Sequence, residues 1–212
     1  MLQPDIEKSQ EQDASRDTQL ALLVVKAQQG NGTAFEQLFD RFHKEVYRMV
    51  FYRTRSQQDA EDLTQEIFIR AYKKISSLKE ADRFRTWLFS IAYNRVRDFY
   101  RKKRIQNFFS LSDLDEDALE RYSSHDRENP VPIQNLIKQD FWKQVEKFLE
   151  RLSKMEKEVF LLRFLDQLMI AEISRVLKQS ESSVKTHLYR ALVKFKKASS
   201  IVELLQEEIR EY

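Results

Sequence analysis

The segment Arg95 to Arg104, RVRDFYRKKR, sets six Arg or Lys against one Asp, and Lys185 to Lys197, KTHLYRALVKFKK, sets five against none. Cationic side chains at this density do one kind of chemistry well: they neutralise phosphates. Between them, Gln106 to Asn135 carries seven Asp or Glu and two Arg, a stretch that a phosphate backbone repels. The formal net charge of +3 conceals this polarisation, although local patches rather than totals steer association with nucleic acid. The first basic segment also follows a run of rings, Phe84, Trp87, Phe89, Tyr93, Phe99 and Tyr100. Rings among cations can stack unpaired bases. Trp87, Tyr93 and Tyr100 suit a wet site best, because each has a polar handle.

Other chemistries find little support. The chain has no cysteine, which excludes disulfides and thiolate zinc sites. His43, His125 and His187 are too scattered to form a recognisable ligand set. The run DLDEDALE places Asp113, Asp115 and Asp117 at the first spacings of a calcium loop. However, Ala118 takes the glycine position and Ser124 that of the bidentate glutamate. No Ser or Cys nucleophile motif appears. We therefore expect no enzyme activity, metal, cofactor or small-molecule substrate. The absence of an 18-residue apolar run or signal-peptide pattern leads us to expect a cytoplasmic protein with no direct membrane insertion.

The elements that must position the basic segments are helices. With only 2 Gly and 3 Pro in 212 residues, a sheet-rich fold would lack turns, so we expect an all-α chain of two small helical domains joined by a flexible acidic linker. Residues 1–15 read as a disordered arm. A short helix from Asp17 to Gln29 is expected to stop at Gly30-Asn31-Gly32, and Thr33 with Glu36 forms a capping box for the next. Phe35, Leu38, Phe39, Phe42, Val46, Met49 and Val50 then recur at helical spacing. Ser56 caps a third helix with Ala60, Leu63, Ile67, Ala71 and Ile75 inward and Asp59, Asp62, Glu66 and Arg70 outward. A long helix from Arg83 to Arg104 is buried through Phe84, Leu88, Ile91, Ala92, Val96 and Phe99.

Beyond the linker, 106–132, the stripe Leu136, Ile137, Phe141, Val145, Phe148, Leu149 and Leu152 opens a second helical block. Ser153 and Glu156 form a capping box for MEKEVFLLRFL. Then IAEISRVL, a break at Lys178-Gln179 and a helix capped by Ser180, which either breaks near Ser199-Ser200 or runs on to Ile209, outline a helix-turn-helix. Ile173, Val176 and Leu177 are expected to pack on Val184, Leu188, Ala191 and Phe195. That leaves Ser182, Thr186, Tyr189 and Val193 outward, with Lys185, Arg190 and Lys197 at the edges.

Three stretches together resemble the extracytoplasmic-function (ECF) sigma factors of bacterial RNA polymerase, group 4 of the sigma-70 superfamily. They are AFEQLFDRFHKEVYRMV, then DAEDLTQEIFIRAYKKISSL followed by FRTWLFSIAYNRVRDFYRKKR, and finally EISRVLKQSESSVKTHLYRALVKFKK. The resemblance implies region 2 over 16–105 and region 4 over 133–212. It implies polymerase binding, on the β′ clamp helices, by Asp59, Asp62, Leu63, Gln65, Glu66, Phe68 and Arg70. For the −10 element it implies Ser76, Ser77, Leu78, Lys79, Arg83, Trp87, Asn94, Arg97, Arg101 and Lys102, the loop capturing a flipped base of the non-template strand. For the −35 duplex it implies Ser182, Ser183, Lys185, Thr186, His187, Tyr189, Arg190, Lys194 and Lys197. Region 4 would rest on the β flap, the linker would thread toward the RNA-exit path, and an anti-sigma factor is an expected partner. The alternative is a conventional helix-turn-helix regulator that acts without polymerase.

The chain departs from the family pattern at several positions. His187 replaces an Arg, Lys178 and Gln179 stand at a Gly-apolar turn, Met169 stands at a common Ser N-cap, and Gln167 replaces a Gly.

Overall fold

The structure, a computed structural model, describes residues 18–110, 144, 145 and 147–198, with side chains up to 105 in the first stretch. Among them every regular element is helical. The chain divides into two compact units, Met1–Asp115 and Glu116–Tyr212. The expected arm, the linker, the start of the second apolar stripe (Leu136, Ile137 and Phe141) and the chain beyond 198 lie outside the described residues.

In the first unit, helix α1 (18–28) ends where expected. Gly30 adopts φ +88, and the N–H groups of Gly30 and Asn31 donate to the carbonyls of Ala27 and Lys26, both at 3.1 Å. This pairing satisfies the orphan carbonyls of the last turn, and Gly reaches the left-handed region without a Cβ penalty. The expected capping box at Thr33 and Glu36 does not form. Instead Asn31 caps α2 (Gly32–Thr54), its side chain accepting from the Ala34 N–H at 2.9 Å. The glycine turn delivers Asn31 in extended backbone two residues earlier, so the helix starts before Thr33 can cap it.

Helix α3 (Gln57–Lys74) begins as read from sequence, with the Ser56 hydroxyl accepting from the Asp59 N–H at 3.2 Å. Two 3₁₀ turns, Ile75–Ser77 and Ala81–Arg83, then lead into α4 (Phe84–Ser110). The core forms where these helices meet: Leu38, Val46, Met49, Val50, Ala60, Ile67, Ala71, Phe84, Leu88, Phe89 and Ala92 are fully buried. Each large apolar side chain of this kind contributes about 1.5–3 kcal/mol on leaving water. Tyr93, read as available to a ligand, is 9% exposed and belongs to this core. Trp87 is half-buried against Phe84, and Tyr100 is 40% exposed.

In the second unit, helix α5 (helical residues within 144–150), α6 (Lys154–Phe164), α7 (Ile170–Leu177) and α8 (Glu181–Lys196) enclose their own core. Phe148, Leu149, Leu152, Leu161 and Ala191 pack together, with Val145, Phe160, Leu165 and Phe195 against them. The Phe148 ring meets Phe160 and Phe195 edge-on at 5.1 and 5.2 Å. The Ser153–Glu156 capping box is present as expected.

Gln167 and Lys178, the positions where this chain lacks a glycine, both take φ 55. Lys178 ends α7 in the left-handed region, and Gln179 donates to the Ser174 carbonyl at 3.0 Å. The turn is therefore built in glycine geometry with a Cβ present, at a cost of about 1 kcal/mol. Lys178→Gly should stabilise the C-terminal unit by about 0.5 kcal/mol once the looser unfolded chain is offset. Thermal unfolding of the full chain then shows a rise of a few degrees in that unit's transition. An unchanged or lower midpoint refutes the strain.

Candidate nucleic-acid interface

α7 and α8 form the expected helix-turn-helix. Ile173 and Val184 are fully buried, Val176 is 2% exposed, and Ser180 caps α8 by accepting from the Ser183 N–H at 3.2 Å. Leu188 and Phe195 are half-buried rather than fully inside. α7 starts without a side-chain cap at Met169, as its sequence suggested. The Met169 N–H instead donates to the Glu172 carboxylate at 2.7 Å.

On α8, Ser182, Lys185, Thr186, Tyr189 and Arg190 are all exposed, Tyr189 at 69%. Their spacing of three and four residues keeps them on one side of the helix. This surface offers short hydroxyls and an aromatic edge flanked by two cations, a combination suited to base edges and phosphates. The Thr186 hydroxyl donates to the Ser182 carbonyl at 2.9 Å, which fixes its orientation and leaves its lone pairs outward. Ser183 and His187 are half-buried, and His187 Nδ1 is buried without a hydrogen-bond partner among the described residues. Lys197 is exposed at the end of the helix.

Lys194 does not belong to that surface. It lies about 180° round the helix from Lys185 and about 40° beyond Arg190, past the edge of that row. Its ammonium donates to Glu156 Oε2 at 2.6 Å and to the Arg151 carbonyl at 3.3 Å. The same Glu156 oxygen accepts from the Ser153 N–H at 2.8 Å, so the capping box of α6 also fastens the last turns of α8. The Lys194 hydrogen bond, followed by the Ser153 backbone N–H, holds the Glu156 carboxyl below the usual carboxylate range despite its burial. A carboxylate with a lowered folded pKa stabilises the fold above the unfolded pKa, and that stabilisation fades as pH falls through the folded one. Lys194→Met should therefore cost about 1–2 kcal/mol at pH 7, a figure reduced because Lys194 is 42% exposed. In urea titrations the gap from wild type should narrow below pH 4.5, the ordinary value for this group. A gap constant with pH would contradict the pairing.

In the first unit, Trp87, Asn94, Arg97 and Arg101 follow one another at spacings of seven, three and four residues, and so share one face of α4. Arg97 and Arg101 are exposed, with Arg101 3.3 Å from Asp98, while Trp87 and Asn94 are half-buried. Asn94 donates to the Ser90 carbonyl at 2.7 Å. Lys102 is exposed but about 100° off this row. Ser76, Ser77 and Lys79 are exposed on the preceding loop, whereas Leu78 is 8% exposed and anchors it. Gln28 Nε2 ties the same loop to α1, donating to the carbonyls of Leu78 at 2.7 Å and Ile75 at 3.0 Å. Arg83 pairs with Glu80 at 2.6 Å.

Arg95 also leaves the basic surface. It is 7% exposed and pairs with Glu66 of α3, so the first cationic segment spends one charge internally. Two residues from Arg97, it points about 160° away from the row of exposed cations.

The mixed-charge surface of α3 also changes composition. Asp62, Gln65, Glu66 and Arg70 are exposed and Asp59 is half-buried, but Leu63 and Phe68 are 3% and 4% exposed and lie in the core. Their apolar spacing turns them inward with Ala60, Ile67 and Ala71. The apolar part of the outer face comes instead from Ile69 at 47% and Tyr72 at 53%. Sequence reading missed both, although the run Asp62, Gln65, Ile69, Tyr72, at successive spacings of three, four and three residues, was the available signal.

Two family models match the chain: Sigma-70 region 2 over residues 38–105 and Sigma-70, region 4 over 142–195. The ECF sigma factor BldN of Streptomyces coelicolor is 33% identical over 172 residues, covering 80% of this chain and 62% of that relative's length. The ECF sigma-E factor of Haemophilus influenzae is 30% identical over 173 residues, covering 80% of this chain and 89% of that protein. Among solved structures, CnrH with the cytosolic domain of CnrY shares the fold at TM-score 0.60 and 24% identity, covering 87% of this chain and 97% of that one. Sigma factor RpoE with the anti-sigma factor NepR from Bartonella quintana does so at 0.59 and 19%, covering 79% and 97%. With both family models in order, and a helix-turn-helix behind a four-helix unit, the chain belongs to the ECF sigma factors of RNA polymerase.

Proposed function

We propose that this sigma factor binds core RNA polymerase through the outer face of α3, reads a −35 duplex with α8, and holds an opened −10 element along α4 and the loop before it. The protein catalyses nothing; it selects the promoter and assists melting. Region 2 takes in 16–105, the acidic segment 106–132 links it to region 4 within 133–212, and region 4 also rests on the β flap. The linker's acidity suits a path otherwise taken by nucleic acid. The observation that carries the reading is the exposed set Ser182, Lys185, Thr186, Tyr189 and Arg190, on the second helix of a helix-turn-helix, in a chain that also exposes Asp62, Gln65, Ile69 and Tyr72 on α3.

The physical logic is a division of labour. Phosphate contacts supply affinity, a few polar groups and one flipped base supply sequence choice, and docking on polymerase raises the local concentration of each weak site. An anti-sigma factor is the natural regulator, by analogy with the NepR complex of the Bartonella quintana protein. The site of action is the cytoplasm. Among the described residues no helix is long and apolar enough to cross a membrane.

Run-off transcription with core polymerase and this chain alone, on a mapped promoter, tests the proposal. Initiation at that promoter, dependent on added chain, is the expected result. Sequence-specific DNA binding without core, combined with no initiation in its presence, overturns it in favour of a conventional regulator.

A further inference from the structure

The basic surfaces read from sequence lie on α4 and α8, yet α2 carries a third. Arg41, Lys44, Arg48 and Arg55 are all exposed, and with Tyr52 they recur at spacings of three, four, four and three residues. Such spacing draws one stripe along a helix, here about 21 Å from end to end. Helix α2 also has acidic residues at the stripe's edges. Asp40 lies one turn before Lys44, about 40° round from it, but makes no ion pair among the described residues. Glu45 flanks the stripe, but its carboxylate is taken by Arg85 at 3.0 and 3.1 Å. Among the described residues, Arg41, Lys44 and Arg48 make no ion pair.

The surrounding contacts indicate which way this stripe faces. Phe39 and His43 turn toward α3, where their rings meet Phe68 at 4.8 and 6.2 Å. The cationic stripe lies about 140–180° round α2 from those two residues. On α4, Arg95 turns toward Glu66 of the same α3, and Arg97 lies about 160° from Arg95. Both cationic rows therefore face away from α3. The two helices approach each other at one end, where the Tyr100 hydroxyl of α4 donates to the Arg53 carbonyl at the end of α2.

We propose that the outward stripe of α2, from Arg41 to Arg55, is a phosphate track for duplex DNA that continues the α4 surface beyond the opened strand. This rests on the promoter-binding reading of α4. Duplex rather than single-stranded DNA fits the chemistry. A single strand is held by rings on which its bases stack, and the stripe's one ring, Tyr52, has the Arg55 guanidinium 5.5 Å over its centre. What remains is a row of cations with no stacking platform and no base-reading amide, which suits sequence-independent phosphate contact.

The test is the triple variant Arg41→Gln, Lys44→Gln and Arg48→Gln in the full chain, assembled with core polymerase. Arg55 stays native because it ends α2 at φ 57. Promoter affinity is measured by fluorescence anisotropy across a salt series, on one fragment with upstream duplex and one cut at the upstream edge of the −10 element. On the longer fragment the variant should bind about tenfold or more weakly at 0.15 M salt and lose about 2–3 from the log–log salt slope. On the shorter fragment it should match wild type. Equal loss on both fragments overturns the duplex assignment, and an unchanged slope on the longer one overturns the track altogether. If the variant instead loses binding to an anti-sigma factor while its DNA slope stays unchanged, the stripe is a protein-binding surface and the proposal fails. Failure of the promoter-binding reading itself is distinguishable, because wild-type holoenzyme would then show no promoter preference on either fragment.

Discussion

The double variant Lys185→Ala and Arg190→Ala should lower transcription from −35-dependent promoters about 30- to 700-fold, with core polymerase binding within about twofold of wild type. The range follows from two contacts of about 1–2 kcal/mol each. Both side chains are exposed on α8, so truncating them removes no packing and the fold should be unaffected. Abortive-initiation assays on matched promoters with and without a −35 element measure the first effect, and competition for labelled core measures the second. A large loss of core affinity, or undiminished −35 dependence, would refute the role of α8. Lys194 provides the contrast. Its ammonium already holds Glu156 at 2.6 Å, so Lys194→Met acts through stability. The salt dependence of promoter binding by its folded fraction should match wild type.

The second large effect is expected at Glu66. Its carboxylate pairs with Arg95, which is 7% exposed, and Glu66→Ala leaves that guanidinium without its carboxylate in the interior of the first unit. Removing one partner of a fully buried pair costs about 3–5 kcal/mol. Here the Glu66 side chain is 48% exposed, so water reaches the site and the cost should be about 2 kcal/mol. For a unit of this size that lowers the unfolding midpoint by roughly 10 °C.

Replacing both partners, Glu66→Ala with Arg95→Met, removes the stranded charge and should recover most of the stability. Core binding should recover with it, since Asp62, Gln65, Ile69 and Tyr72 remain exposed on the same face of α3. Calorimetry together with competition for core separates the possibilities. A single variant as stable as wild type disproves the pairing. A stable double variant that fails to bind core would assign the Glu66 carboxylate directly to polymerase.

Much of this protein was legible in its sequence because helices announce themselves locally. Periodic apolar positions, the caps at Ser56, Ser153 and Ser180, and the stop at Gly30 all depend on residues a few positions apart. The order of the motifs carried the family, and the turn at Lys178 kept glycine geometry without its glycine. Where local signals competed, the outcome was less readable. Asn31 displaced Thr33 as a cap because the preceding turn set its backbone first.

What the sequence determined by itself was the all-helical character of the chain, its two basic segments and the exposed polar row of the recognition helix. Tertiary structure alone decided which charges remain outward. Arg95 and Lys194 belong by sequence to the two basic segments, yet one is turned to Glu66 and the other to Glu156, 29 and 38 positions away along the chain. It also drew Phe68 and Leu78 inward and left Ile69 and Tyr72 outside. The physical reason is common to all of these. A helix's own period fixes which residues share a face, but only the neighbouring helices decide which face is covered, and a charge facing a partner carboxylate inside is no longer available to DNA.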